Sequence, residues 1–133
     1  MRARIGSARC RAAWVAACGA TIGLAAAAAA QAAPDPVAGG ATFRARCAIC
    51  HATLGQQTKV GPSLAGIVGR PAGKAPGARY SAALGRADFR WTPARLDAFL
   101  ADPAAVVPGT AMAVRLADPA QRADVVAYLA TLK

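Results

Sequence analysis

The sequence predicts a small all-α domain of three to five short helices joined by glycine- and proline-rich loops. Three observations carry that reading. Thr92-Pro93 and Asp118-Pro119 each set an N-cap residue and an N1 proline ahead of apolar residues at helical spacing. No segment alternates apolar and polar residues well enough for a strand. All 9 prolines and 10 of the 13 glycines lie beyond residue 32, where they shorten helices and lengthen connections.

Residues 1–32 read as a secretory signal peptide. A basic stretch ends at Arg11, an apolar stretch runs from Ala12 to Ala30, and Ala30-Gln31-Ala32 is an A-x-A junction. Retained instead, the apolar run of residues 12–33 is long enough for a membrane anchor. Val15-Ala16-Ala17-Cys18 also looks like a lipid-attachment box. Each outcome exports the domain of residues 33–133 and places it in the periplasm.

Within that domain the first helix is expected from about Asp35 to Ala48, carrying Phe43 one turn before Cys47. A short helical turn is expected after Tyr80. The helix opened by Thr92-Pro93 presents Leu96, Phe99 and Leu100 and is expected to stop before Pro103. The last helix, from Asp118-Pro119, aligns Val125, Val126, Leu129 and Leu132 on an apolar face. Gly39, Gly40 and Phe43 suit a close approach to Tyr128, where the first and last helices would meet.

Size and charge narrow the function. The chain has 133 residues, and much of its 56% hydrophobic content is alanine concentrated in the leader. A domain this short and loop-rich needs a disulfide, a metal or a cofactor to complete its core. A large multi-domain enzyme and a polytopic membrane protein are excluded. The net charge is +10, but Arg2, Arg4, Arg9 and Arg11 belong to the leader. The domain keeps twelve basic residues, six aspartates and no glutamate, a surplus of +6. Without a basic run, a recognition-helix pattern or interleaved aromatics, nucleic acid is not the expected partner; an acidic protein surface is.

Cys10 and Cys18 lie in the leader, which leaves Cys47 and Cys50, followed at once by His51, the one histidine of the chain. Cys47-Ala48-Ile49-Cys50-His51 is C-x-x-C-H, the pattern of covalent haem c attachment. Two thiols one turn apart add across the two vinyl groups of one porphyrin edge. The next residue then brings its imidazole beneath the ring to the iron. Chance placement of this pattern is about one in a thousand. A structural zinc lacks a fourth ligand, and a thioredoxin-like dithiol lacks its βαβ setting.

With a single histidine, the other face of the iron takes methionine, lysine, water or nothing. Met112 is the only thioether besides the initiator, and Pro108 and Gly109 place it on a turn rather than at a helical core position.

The sequence resembles the class I c-type cytochromes, the mitochondrial and bacterial electron carriers, from about Gly39 to Leu132. Beyond Cys47–His51 the likeness runs through Gly61-Pro62-Ser63-Leu64-Ala65-Gly66-Ile67-Val68-Gly69-Arg70, Ala75-Pro76-Gly77, Tyr80-Ser81 and Trp91. It continues in Pro108-Gly109-Thr110-Ala111-Met112 and Arg122-Ala123-Asp124-Val125-Val126-Ala127-Tyr128-Leu129. The resemblance implies the cytochrome c fold wrapped around one haem c, with thioethers from Cys47 and Cys50 and axial ligands His51 and Met112. It further implies that the Pro62 carbonyl fixes the His51 ring, that Arg70, Tyr80 and Trp91 face the haem propionates, and that Thr110 supports the Met112 loop.

Two departures stand near the sulfur, where typical carriers have a tyrosine and an asparagine and this chain has Phe99 and Leu84. Of the usual basic ring around the haem edge only Arg46 and Lys59 match, while Ala104, Ala105 and Ala111 stand where lysines are usual and Arg79, Arg86 and Arg115 are candidates to substitute from other directions. The expected function is a monomeric periplasmic one-electron carrier, not an enzyme, exchanging electrons with redox proteins that present acidic docking surfaces. The competing readings are a haem subunit dedicated to an exported dehydrogenase or tethered to the membrane, which requires a retained or lipidated leader, and a gas-binding or peroxidase-like centre with Met112 off the iron.

Overall fold

The computed structural model describes residues 32–55 and 59–133. The leader, with its Ala30-Gln31-Ala32 junction and Cys18, falls, save for Ala32, outside the described residues. No helix among the described residues is long and apolar enough to cross a membrane.

Five helices follow one another: α1 (Pro36–Arg46), α2 (Ala82–Gly85), α3 (Pro93–Ala101), α4 (Pro103–Val106) and α5 (Pro119–Thr131). Four of them begin with the same device, an oxygen-bearing cap residue followed by proline at the first helical position. Asp35 Oδ1 accepts from Val37 N at 2.8 Å, Thr92 Oγ1 from Arg95 N at 3.2 Å and Asp118 Oδ1 from Ala120 N at 2.8 Å. The proline gives up an amide that has no partner inside the helix, so the cap and the ring together settle the first turn.

One expectation is corrected. The first helix ends at Arg46 rather than Ala48, with Cys47 as its C-cap. Residues 47–51 tighten into a turn in which the Cys47 carbonyl accepts from the amides of both Cys50 and His51, each at 3.0 Å. The helix opened by Thr92-Pro93 stops before Pro103, as expected, and another begins at once. Asp102 ends α3 and at once caps α4, its Oδ1 accepting from Ala104 N and Ala105 N at 3.2 Å. The short turn after Tyr80 is α2, capped by Ser81. The sole bridge among the described residues, Pro71 with Arg90, is isolated, so no sheet forms.

The core lies where α1, α3 and α5 meet. Phe43, Leu96, Phe99, Leu100, Val125 and Leu129 are buried there, with Ile67, Trp91 and Leu116 contributed by the loops. Gly39 is what lets α1 and α5 cross closely: a Cβ there would stand 1.9 Å from the Asp124 carbonyl oxygen. Phe43 and Tyr128 pack at 5.4 Å between ring centroids beside that crossing, as expected from the sequence. Two polar contacts hold α5 in place. Asp124 Oδ1 accepts from Asp35 N at 2.7 Å, and Arg122 Nε meets Asp97 Oδ1 of α3 at 2.9 Å.

Candidate haem site

The turn after α1, the loop of residues 59–70 and the loop of residues 107–118 surround a cavity of about 290 Å³. That is near the lower end of ligand-pocket sizes, ~300 Å³. Every residue assigned from the sequence lines it: Cys47, Cys50, His51, Pro62, Arg70, Tyr80, Trp91, Thr110 and Met112. Residues from opposite ends of the domain therefore meet in one mostly apolar chamber, although 61 positions separate His51 from Met112.

His51 is the best-defined member. Its Nδ1 is 2.8 Å from the Pro62 carbonyl oxygen, an acceptor only, so the proton sits on Nδ1 and Nε2 keeps its lone pair. Burial pushes the imidazole pKa down, against the opposing effect of the Pro62 hydrogen bond, which favours the neutral ring that can ligate a metal. Gly61 makes room for that ring. A Cβ on Gly61 would lie 2.4 Å from His51 Cε1 and 2.8 Å from Nδ1.

The two thiols are free, Cys47 buried and Cys50 half-buried. Burial raises the Cys47 thiol pKa, with Arg46 acting in the opposite direction and Cys50 adding to the rise. Burial therefore favours the neutral thiol at Cys47.

Met112 is presented by a tight turn. Thr110 N donates to Val107 O at 3.0 Å across Pro108-Gly109, and Gly109 has φ +88°. That combination is a type II turn, which requires a residue without a side chain at its third position. Thr110 Oγ1 then accepts from Met112 N at 3.3 Å.

The three residues assigned to the propionates lie in the same wall. Arg70 donates to Ala65 O at 2.9 Å and to Ser63 O at 2.7 Å, which fixes its guanidinium across the loop that carries Pro62. Burial lowers its pKa, with Tyr80 acting the other way. Tyr80 Oη accepts from Ala75 N at 3.1 Å and keeps its own proton to donate. Trp91 is buried edge-on between Phe89 and Phe99, with centroids 5.0 Å from each.

Two features of the site were not singled out from the sequence. Gly61 was noted only as part of a motif, although a glycine directly before the proline that holds a histidine is a signal of close approach. Ile49 and Val60 also line the cavity and remain 82% and 83% exposed, marking an apolar rim. Of the charged residues in the wall, Arg46, Arg70 and Arg79, none is acidic.

The residues fit a covalently attached haem on three counts. Two thiols sit beside an apolar chamber, a neutral imidazole is already oriented by its second nitrogen, and a glycine leaves the ring the space it needs. Known proteins agree. Residues 36–133 match the cytochrome c family. A cytochrome c2 of Rhodopila globiformis is 45% identical over 100 residues, spanning 74% of this chain and 94% of that protein. Another, from Rhodomicrobium vannielii, is 48% identical over 107 residues, spanning 78% of this chain and 84% of its own length. The solved structure of cytochrome cH from Methylobacterium extorquens matches with a TM-score of 0.68 at 40% identity, over 73% of this chain and 98% of that one. The chain belongs to the cytochrome c family: it is a class I c-type cytochrome, an electron carrier rather than an enzyme, that binds one haem c through Cys47 and Cys50.

Proposed function

We propose that this cytochrome is a monomeric periplasmic one-electron carrier whose iron is closed on both faces, by His51 Nε2 and by the Met112 thioether. The observation that carries the proposal is the meeting of His51 and Met112 in one cavity, with His51 Nδ1 already committed to the Pro62 carbonyl. The bound haem supplies a one-electron Fe(III)/Fe(II) couple.

The chain's own residues decide how that couple behaves. The Pro62 carbonyl holds the Nδ1 proton and makes Nε2 a stronger donor. Met112 offers a neutral sulfur, which favours the lower charge of the ferrous state relative to a second imidazole. Phe43, Ile67, Trp91, Leu96, Phe99 and Leu100 wall the cavity with apolar surface and keep water out, which again disfavours the extra positive charge. Ile49 and Val60 leave an exposed apolar rim on the cavity that Arg46 and Arg79 also line, against which a redox protein with an acidic face can dock briefly. The leader sends the domain to the periplasm, and membrane association follows only if it is retained or lipidated.

Carbon monoxide tests the closed iron. Reduced wild-type holoprotein is expected to resist carbon monoxide that the Met112→Ala variant binds readily. Equal binding by the two proteins overturns the proposal.

A further inference from the structure

The geometry points to Asp102, Arg115 and Arg46 as a latch that fastens the Met112 loop over the haem cavity and sets how readily Met112 leaves the iron. The inference rests on Met112 being an axial ligand.

The need for a latch follows from what surrounds the sulfur. Phe99 and Leu84 share the cavity wall with Met112, and neither side chain can donate a hydrogen bond to a thioether. The Met112 amide is bonded only to Thr110 Oγ1, a contact within the loop that does not tie it to the rest of the domain. Beyond Met112 the loop is held at its far end, where Leu116 N donates to Leu100 O at 2.8 Å and Arg122 donates to the Leu116 and Ala117 carbonyls, and nearer Met112 by Arg115.

There one carboxylate oxygen joins the two sides of the loop. Asp102 Oδ1, which caps α4 ahead of Met112, also takes Arg115 Nη2 at 2.8 Å, three residues past Met112. The Arg115 carbonyl in turn accepts from Arg46 Nη2 at 3.4 Å. Arg46 is the neighbour of Cys47, so the chain of contacts runs from the haem-attachment turn to the far side of the axial-ligand loop. Opening the loop to free Met112 breaks these contacts, while the rest of the fold can stay intact.

Arg115 and Asp102 are both partly exposed, with side-chain accessibilities of 57% and 42%. The pair is therefore a modest one, and its loss is worth about a two- to fivefold change in an opening equilibrium.

Asp102→Asn isolates the charge, since asparagine caps a helix about as well as aspartate does. Arg115→Gln removes the other partner. The readout is the displacement of Met112 from the ferric holoprotein by imidazole at low ionic strength. Each single variant is expected to bind imidazole about two- to fivefold more tightly than wild type, and the double variant no more tightly than either single. In a Met112→Ala background the same substitutions are expected to change nothing. Unchanged imidazole affinity in both singles, fully additive effects, or effects that persist in the Met112→Ala background overturn the latch. If wild type and Met112→Ala bind imidazole alike, axial ligation by Met112 is what has failed, a result separate from the others.

Discussion

The crossing of α1 and α5 makes a quantitative prediction through two adjacent glycines. A methyl group at Gly39 would stand 1.9 Å from the Asp124 carbonyl oxygen, 2.4 Å from its carbon and 2.9 Å from Val125 N, all backbone of α5. Relief requires the helices to part by about 1.5 Å, since close-packed atoms rest at about 3.5 Å. Alanine gains about 1 kcal/mol of helix propensity over glycine. Overpacking costs about 1–3 kcal/mol, and parting the helices loosens Phe43, Val125 and Tyr128, which adds about 2 kcal/mol in all. Gly39→Ala should therefore destabilise by about 2–4 kcal/mol. Gly40→Ala is the control, because its Cβ meets the Tyr128 ring edge at 3.2 Å, a side chain that can yield by a few tenths of an ångström. Its change should stay within about 0.5 kcal/mol. In urea denaturation of oxidised holoprotein, followed by the Soret band and far-UV dichroism, the Gly39→Ala midpoint should fall by about 1–2 M, given a slope of ~2 kcal/mol per M. A Gly39→Ala protein as stable as wild type, or a Gly40→Ala protein equally damaged, would refute the account of this crossing.

Further predictions concern the haem site and its supports. Gly61→Ala forces the His51 ring away from the Pro62 carbonyl, weakens imidazole as a donor and should raise the reduction potential in a potentiometric titration. Either Cys47→Ser or Cys50→Ser leaves one thioether, and the pyridine haemochrome spectrum should move toward that of a haem retaining one free vinyl group. Arg122→Gln strips the Leu116 and Ala117 carbonyls of their donor and leaves Asp97 unpaired, so thermal or urea unfolding should show a loss of about 2–3 kcal/mol. Intact mass of the exported protein should show a chain beginning near Ala33, and a retained leader or a lipid on Cys18 would appear as added mass.

Local signals were the ones legible in the sequence. Thr92-Pro93 and Asp118-Pro119 gave correct helix starts because a cap residue and an N1 proline act within one turn. Pro103 correctly marks the end of α3, but a proline that stops one helix is also permitted at the first position of the next, and Asp102 serves both ends. The attachment turn was evident from Cys47, Cys50 and His51, whose chemistry depends on spacing alone. What could not be read was set by contacts across the fold. The fit of Gly61 to the His51 ring, the bonds from Arg70 to Ser63 and Ala65, and the pairing of Arg115 with Asp102 depend on how loops lie against each other. The extent of α1 was overestimated because Ala48 and Cys50 carry no stop signal. The turn there is imposed by the Cys47 carbonyl, which draws in both the Cys50 and His51 amides.

The central claim, that the chain itself fills both axial positions, is tested most directly by proton NMR of the reduced protein. The sequence has two methionines, Met1 and Met112, so residues 33–133 carry a single thioether methyl. Bound to iron above the porphyrin, the Met112 methyl should appear far upfield of its ordinary position, as one three-proton resonance absent from Met112→Ala. A methyl resonance at the position of free methionine in the reduced holoprotein would contradict the account.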